Sequence, residues 1–351
     1  MYHHYFAASN SAVGFKSYYS EIFARADLLY VIKGGPGTGK SSFMKKYAMR
    51  AEKEGKSCEY YHCSSDPSSL DGVLIFSDGG VTGFLDGTPP HVFEPTLPGA
   101  REEIINLGEF WNGEILRRQK NEIKALGERK SAEYKSAYTY LRSVGNLVAV
   151  TDGLLRETVL YDKMRAAAEK MVKEYPCGKM SAIPAITDSV SMCGCVRLDS
   201  FERNAERVCL VSDVYGVGHI FLGAVLEALK GKAIMARISY DPVCPERIDG
   251  IYLEGSKTAF IIASSGDDLN TFEAKYGKNI NTIVNSKRFV DTERLKDVRS
   301  ELRYTARLAQ RSLDGALHAL SKARIYHFLS EDIYYKAMDF PRLSEIKVDI
   351  L

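Results

Sequence analysis

A glycine-rich stretch near residue 40 carries residue types that bind phosphate. Its nine residues are Gly34, Gly35, Pro36, Gly37, Thr38, Gly39, Lys40, Ser41 and Ser42. Glycines let successive backbone N–H groups turn towards phosphate oxygens, and a lysine followed by a hydroxyl suits the terminal phosphates and Mg²⁺. We therefore predict that residues 34–42 bind a nucleotide, that Lys40 bridges its β- and γ-phosphates, and that Ser41 contributes to a Mg²⁺ site.

A Mg²⁺ site of this kind also needs a carboxylate at the end of a neighbouring strand. Asp86 ends the run VTGFLD (81–86) and fits this requirement best, whereas Asp78 lies in the turn-forming SDGG. The residue after Asp86 is Gly87, where many fast ATPases have a glutamate that orients water. We expect hydrolysis to be slow, or the water to be oriented by a group elsewhere in the chain.

The loop that follows Asp86, DGTPPHVFEP, contains two candidate catalytic residues, His91 and Glu94. It lies at the edge of the predicted sheet where ligands bind in open α/β folds. Either side chain could activate water, and Asp66 is a weaker candidate for the same role. Less specific candidates for contacts with phosphate are His62, Cys63, Ser64, Arg101, Arg117 and Arg118.

Short apolar runs bounded by glycines and turn residues predict the strands that position these side chains. The runs are LLYVIK (28–33), CEYYHC (58–63), DGVLIF (71–76) and VTGFLD (81–86). A helix should begin at Lys40 and end near Gly55, because Phe43, Tyr47 and Ala51 fall on one helical face. The order strand, loop, helix, strand is typical of an α/β fold with a mostly parallel sheet flanked by helices.

The second half of the chain repeats the first. Gly39 corresponds to Gly218, 179 positions later, and IINLGEF (104–110) matches IVNSKRF (283–289) at the same offset. Self-similarity at a fixed period indicates a tandem duplication. We predict two P-loop NTPase-like domains, residues 1–178 and 179–351, that meet at PCGK (176–179).

Long charged helices are expected after each sheet. Apolar residues at helical spacing are Tyr134, Tyr138, Leu141, Leu160, Met164, Ala167 and Met171 in the first half and Leu313, Leu317 and Leu320 in the second. This pattern predicts a helical hairpin over about 109–175, broken around SVGN (143–146), and another over about 291–340. Such hairpins could offer a surface to a protein partner.

The duplication allows the two glycine-rich loops to be compared within one chain. In the second copy Lys40 is replaced by His219 and Ser41 by Ile220, and Asp86 falls opposite Ser264. The second loop therefore lacks the phosphate-binding lysine, the metal-binding hydroxyl and the carboxylate, and we expect it to be catalytically inactive. It keeps Gly216 and Gly218, so its turn should survive.

Three polar residues of the first half recur in this inactive copy. Asp66 recurs as Asp241, Asp71 as Asp249 and Asn106 as Asn285. Because the second copy lacks the groups for catalysis, we expect these residues to shape turns and local structure.

The composition of the 351-residue chain is that of a globular protein, with 47 basic and 45 acidic residues and a net charge of +2. This balance gives no evident reason to expect nucleic acid as a partner, although it leaves a local basic patch open. No apolar run approaches the roughly 18 residues that span a bilayer, and MYHHYFAASN lacks the pattern of a secretion signal. We expect a cytoplasmic protein without membrane insertion.

Four phrases of the sequence resemble a known family. GFKSYYSEI, KGGPGTGKSSFMKK, HCSSDPSSLDG and LDGTPPHVFEPTLPGAREEIINLGEFW are similar to an uncharacterised bacterial, Firmicute-type family of tandem P-loop ATPases and nucleotide-binding proteins. The resemblance covers most of residues 5–112 and, more weakly, the second copy. It implies a P-loop NTPase-like fold and ATP binding at residues 34–42, and it leaves the physiological substrate open.

Three functions are compatible with these residues. The first is slow, Mg²⁺-dependent ATP hydrolysis, with the inactive second domain as partner or regulator. The second is a kinase that transfers the γ-phosphate to a nucleotide or another small acceptor, and the third is an ATP-controlled binding switch with negligible turnover. The chain has no N-K-x-D guanine signature, which favours ATP as the nucleotide.

Overall fold

The computed structural model describes residues 2–89, 93–263 and 277–351. The strands of the first half are β1 (His4–Phe6), β2 (Ala8–Ser11), β3 (Gly14–Ser17), β4 (Leu28–Lys33), β5 (Ser57–His62), β6 (Leu70–Ser77), β7 (Gly80–Asp86) and β8 (Glu102–Asn106). Those of the second half are β9 (Ser181–Pro184), β10 (Asp188–Ser191), β11 (Gly194–Arg197), β12 (Arg207–Ser212), β13 (Met235–Tyr240), β14 (Ile248–Leu253), β15 (Thr258–Ala263) and β16 (Ile280–Asn285). The helices are α1 (Tyr19–Phe23), α2 (Lys40–Lys53), α3 (Gly113–Arg118), α4 (Lys120–Leu155), α5 (Tyr161–Met171), α6 (Ser200–Asn204), α7 (Val217–Leu229), α8 (Thr292–Ala337) and α9 (Phe340–Leu343).

Each half forms a six-stranded sheet with the same strand order. The first sheet runs β1-β5-β6-β7-β4-β8, and the second runs β9-β13-β14-β15-β12-β16. In each sheet one strand, β6 or β14, is antiparallel to both of its neighbours, and all other pairs are parallel. Two mixed α/β sheets flanked by helices agree with the α/β class predicted from the sequence. That the two halves are P-loop NTPase-like domains stays a prediction. The repeated order agrees with the duplication read from the sequence.

The two sheets pack face to face. Alternate residues of a strand point to opposite faces, and Leu29 and Val31 of β4 join Leu210 and Ile261 of the second sheet in one buried core. Tyr30 and Ile32 face the other way, where α2 covers the first sheet. Both faces of β4 are therefore buried, as its continuous apolar run predicts.

An approximate two-fold axis relates the halves. Phe6 forms an antiparallel bridge with Ile186, which occupies the equivalent position of the second copy, and the Phe6 N–H donates to the Ile186 carbonyl at 2.8 Å. The hairpins β2–β3 and β10–β11 lie beside this bridge with the same register. Equivalent residues meet each other only at a two-fold axis, so the halves face one another like the subunits of a dimer.

A buried ion pair joins the halves at a second pair of equivalent positions. Glu59 of β5 accepts hydrogen bonds from Arg237 of β13 at 2.6 Å and from Arg25 at 2.5 Å. The Glu59 side chain is 3% exposed and the Arg237 side chain 6%. Burial alone would raise the pKa of Glu59, but the two guanidinium groups outweigh it and lower this pKa to about 2.

The long helices do not form the expected hairpins. The helix α4 continues through residues 143–146, where a break was predicted, and packs antiparallel against α8. Their contact uses the predicted apolar positions, with Leu141 and Leu320 fully buried. Gly145 keeps the helix close to the first half, because a Cβ there would lie 2.5 Å from the Ala12 Cβ. Gly145, which was predicted to break the helix, is thus a site of close packing.

The segments after α4 and α8 cross to the opposite half. Met164 and Ala168 of α5 are buried with Phe221 and Leu222 of α7, in the core of the second half. Leu343 of α9 is buried in the core of the first half, where residues 346–350 also pack. The core of each half therefore includes a segment that belongs to the other half of the sequence.

Candidate functional site

The first loop, residues 34–39, connects β4 to α2 at the edge of the sheet where the parallel strands end. Gly37 and Gly39 have φ angles of 68° and 88°, which side chains disfavour. The Thr38 hydroxyl donates to the Gly35 carbonyl at 2.8 Å and holds the turn. The helix begins at Lys40, as the sequence predicts, and its exposed N–H groups carry the partial positive charge of the helix N-terminus.

The Lys40 ammonium and the Asp86 carboxylate lie together at this edge. Their closest atoms, Nζ and Oδ2, are 3.6 Å apart, and each side chain is 11% exposed. The ammonium also donates to the carbonyls of Gly34 at 3.1 Å and Gly35 at 2.7 Å. Burial raises the pKa of Asp86, and the charge of Lys40 opposes that rise. The structure thus brings together the two side chains predicted from separate parts of the sequence.

Ser41 and Asp86 could hold a metal ion with the help of neighbouring groups. The Ser41 hydroxyl accepts a hydrogen bond from the Leu70 N–H at 2.9 Å. The Oδ1 atom of Asp86 accepts from the Thr88 N–H at 2.9 Å, which leaves Oδ2 facing Lys40. Ser42 points to solvent. The hydroxyl and one carboxylate oxygen are hard donors of the kind that Mg²⁺ prefers.

Two of the predicted water-activating residues, Glu94 and Asp66, are engaged by other partners. Glu94 is paired with Lys33 at 3.1 Å, and its side chain is 74% exposed. Asp66 accepts hydrogen bonds from the hydroxyls of Ser68 and Ser69, each at 2.8 Å, and so shapes a turn as expected. His91 lies outside the described residues.

His62, another candidate from the sequence, is held by other partners, and Asp78 lies in a turn. His62 contacts the Pro67 carbonyl at 2.7 Å and the His4 ring at 2.8 Å. Asp78 lies in the turn between β6 and β7, at the end of the hairpin away from Asp86. The expected turn at Asp78 is confirmed, and the metal-binding role of Asp86 stays a prediction.

A further buried carboxylate, Asp71, lies beside Asp86. The sequence predicted that Asp71 shapes a turn, which is wrong, because it lies within β6 and is 4% exposed. Since β6 runs antiparallel, its first residues meet the ends of the parallel strands, and the Asp71 charge raises the pKa of Asp86. The Tyr19 hydroxyl donates to Asp71 at 2.9 Å. The Asp-Gly dipeptide resembles a turn signal, so only the direction of β6 reveals this neighbour.

The end of α8 packs against the first loop. A Cβ on Gly37 would lie 2.4 Å from the Glu331 carbonyl oxygen, and a Cβ on Gly35 would lie 2.8 Å from the Tyr334 ring. The His327 Nε2 atom is 3.4 Å from the Glu331 Oε1 atom, one helical turn away. The loop glycines are therefore needed for this contact as well as for the turn. No pattern in the sequence predicts this contact between residues almost 300 positions apart.

The second loop, residues 213–218, contains a carboxylate of its own. Asp213, which replaces Gly34, accepts hydrogen bonds from the N–H groups of Gly216 at 2.8 Å and Gly218 at 2.6 Å. A carboxylate thus occupies the position where the first loop would bind phosphate. Gly216 has a φ of 90°, as the turn requires, but Gly218 lies inside α7. A Cβ on Gly218 would lie 2.8 Å from the Asp213 Oδ1 atom, so this glycine allows close approach of the carboxylate.

Strand register corrects one correspondence between the halves. Asp86 pairs with Ile32, and the equivalent residue of Ile32, Val211, pairs with Ile262. Ile262 therefore replaces Asp86, where the sequence suggested Ser264, which lies outside the described residues. An isoleucine cannot bind a metal ion, so the expected loss of the carboxylate holds.

No protein-family model matches the chain, and comparisons with curated proteins and with solved structures also give no match. The family suggested by sequence phrases therefore stays a prediction. Along the described part of the chain, each helix is too short or too polar to cross a lipid bilayer.

Proposed function

We propose that the first half binds ATP with Mg²⁺ at residues 34–42 and hydrolyses it slowly. The observation that carries this proposal is the 3.6 Å approach of the Lys40 ammonium, at the start of α2, to the Asp86 carboxylate at the end of the adjacent β7. A helix N-terminus, an ammonium, a hydroxyl and a buried carboxylate at one sheet edge form the donor set that suits a Mg²⁺-bound triphosphate.

Each side chain has a specific role in this proposal. Lys40 exchanges the carbonyl oxygens of Gly34 and Gly35 for phosphate oxygens and stabilises the charge on the terminal phosphates. Ser41 and Asp86 would hold Mg²⁺, which supplies further positive charge to the phosphates. Glu94 and Asp66 are engaged elsewhere, which supports slow hydrolysis.

A switch whose partner binding depends on ATP is the second candidate. It is favoured by the contact of Glu331 and Tyr334 with the loop glycines. Phosphate entering the loop would change the backbone against which the end of α8 packs. The nucleotide state of the first half would then influence a helix that belongs to the second.

The test is a thermal-shift titration of wild type, Lys40→Ala and His219→Ala with ATP, ADP or GTP in the presence of Mg²⁺, followed by phosphate release. His219 lies at the place on α7 that Ser41 has on α2, because its Nδ1 atom meets the Ile248 carbonyl where the Ser41 hydroxyl meets the Leu70 N–H. His219→Ala therefore serves as the control in the second loop. ATP at about 100 times its dissociation constant should add about 2.7 kcal/mol of stability, or several degrees in Tm. We expect this shift in wild type and His219→Ala and its loss in Lys40→Ala.

Equal responses of wild type and Lys40→Ala would refute the proposed site. A full shift without phosphate release would replace the slow ATPase with the switch. Slow phosphate release that Lys40→Ala abolishes would support the ATPase.

A further inference from the structure

The N-terminal half of α8 carries an array of cationic side chains at helical spacing. Arg299, Arg303, Arg307 and Arg311 follow one another at intervals of four residues, and all four are exposed. Four residues of α-helix rise by about 6 Å, so the array extends over about 18 Å. Within the described residues, none of these four guanidinium groups forms an ion pair. The net charge of the whole chain is only +2, so it does not reveal this local concentration of positive charge.

The array lies along two adjoining cavities. The larger one, of about 640 Å³, is lined by Tyr215 of the second loop and by Lys296, Arg299, Arg303 and Arg307 of α8. The smaller one, of about 220 Å³, shares Arg307 and adds Tyr304, Leu308 and Arg311. Together they form a cationic groove that begins at the second loop and continues along α8.

The charges on α8 are segregated around the helix. At about 100° per residue, Lys296, Arg299, Arg303 and Arg307 fall within a sector of about 80°. By the same count Arg311 lies about 40° beyond this sector, and the acidic residues Asp297 and Glu301 lie about 80° and 120° beyond it. Lys296 is paired with Glu293 at 2.8 Å, so the arginines supply the unneutralised charge of the groove.

Aromatic side chains accompany the arginines. Tyr304 is 57% exposed, and its neighbour in the groove is Arg307. Tyr215 has a φ of 57°, a left-handed conformation that is strained for a bulky residue. Strained residues that persist in a structure are concentrated at binding sites. Tyr215 packs in part against the core of the second half, so Tyr304 is the ring most open to a base. The groove therefore combines cations that suit phosphates with an exposed ring on which a base could stack.

We propose that this groove binds single-stranded nucleic acid. A linear array of arginines about 6 Å apart matches a chain of phosphates better than a compact anion, which could meet only two or three of the four. Interleaved tyrosines and a positively charged groove are the usual elements of single-strand binding without sequence preference. The site is separate from residues 34–42 and does not depend on ATP binding there.

The test is fluorescence anisotropy with a labelled 20-nucleotide oligothymidylate at 50–200 mM KCl. The variant Arg303→Gln/Arg307→Gln removes two charges, and Arg165→Gln/Lys230→Gln removes two from exposed positions on α5 and after α7. We expect the groove variant to bind about tenfold more weakly and to lose about 1.4 from the salt slope, whereas the control binds like wild type. Tyr304→Ala should also weaken binding by about tenfold through lost stacking.

Several results would overturn the proposal. They are no binding at 50 mM KCl, equal loss in the groove variant and the control, and competition by inorganic triphosphate as strong as by unlabelled oligonucleotide. Binding to anionic phospholipid vesicles in preference to the oligonucleotide would assign the groove to a membrane surface instead. All substituted residues are exposed, and circular dichroism of each variant would establish that its helices are intact.

Discussion

The two glycine-rich loops have related backbones but differ in the source of negative charge. The first loop directs Lys40 towards Asp86 and has no carboxylate at Gly34. In the second loop the Asp213 carboxylate accepts the hydrogen bonds of two backbone N–H groups. The Asp213 carboxylate satisfies N–H groups like those proposed to bind phosphate in the first loop, so the second loop needs no ligand to satisfy them.

The largest effect is expected from breaking the pair that fixes the halves in their two-fold arrangement. Glu59→Ala removes the buried carboxylate that Arg237 and Arg25 share and leaves Arg237 with the half-exposed Glu254 alone, which should lower the free energy of unfolding by about 3 kcal/mol. Urea unfolding of this variant and of Glu54→Ala, an exposed glutamate of an ion pair near the end of α2, provides the comparison. A loss below about 1 kcal/mol in Glu59→Ala would contradict this role.

The ion pair of Glu59 with Arg237 also predicts that the free energy of unfolding depends on pH. Because the folded pKa of Glu59 is lowered to about 2, its contribution is complete above the unfolded pKa of about 4.3. It is lost as pH falls from there towards 2. The stability of Glu59→Gln should therefore change less between pH 5 and pH 3 than that of wild type. Parallel curves for the two proteins would show that other carboxylates dominate acid unfolding.

The next largest effect is expected from giving the first loop the residue found at the same place in the second loop, where Asp213 replaces Gly34. Gly34→Asp should place a carboxylate over the first loop and abolish the ATP-dependent stabilisation of about 2.7 kcal/mol. Gly34→Ala, which adds a Cβ close to Thr38 without a charge, is the control and should keep part of the response. A Gly34→Asp protein that ATP still stabilises fully would contradict the interpretation that a carboxylate at this position prevents phosphate binding.

The reverse exchange tests the second loop. Asp213→Gly leaves two N–H groups without their acceptor and should destabilise the protein by about 1–3 kcal/mol. Inorganic pyrophosphate should then stabilise this variant and have no effect through the second loop of wild type. Thermal shift with and without pyrophosphate, in a Lys40→Ala background that silences the first loop, measures both outcomes.

The smallest effect is expected from replacing single glycines by alanine, because the fold requires Gly37 but does not require Gly127. Gly127 lies within α4 with nothing within 4 Å of a built Cβ, so Gly127→Ala should stabilise the protein by about 0.5–1 kcal/mol. Gly37→Ala should destabilise it, because φ is 68° and Glu331 blocks the Cβ. Denaturation midpoints of the two variants should move in opposite directions, and a stabilised Gly37→Ala would exclude tight packing of α8 on the loop.

The sequence predicts the elements whose signals are local. The strand β4 spans Leu28–Lys33 as predicted, and α2 begins at Lys40, because an apolar run, glycines and a helical face are all encoded within a few residues. The pairing of Lys40 with Asp86 follows from the rule that parallel strands end at one edge. The duplication also predicts the shared strand order.

The remaining features depend on contacts between distant segments. Helical periodicity identified the buried face of Met164 but not that it packs in the second half. The neighbourhood of Asp71 depends on the direction of β6, and that of Gly37 on the position of α8. A pattern of apolar residues shows which face of a helix is buried but not which segment packs against that face. For this reason the packing of α5 on the second half, and of the segment after α8 on the first half, could not be predicted.

The exchange of segments has a consequence for synthesis. Phe340 and Leu343 lie beside Gly39, and residues 346–350 pack in the core of the first half. Domains usually fold in order as the chain leaves the ribosome, but this core cannot close until residues near 350 have emerged. The first loop is thus made about 300 residues before the segment that completes its packing, so the growing chain cannot acquire this packing until residues 340–350 have emerged.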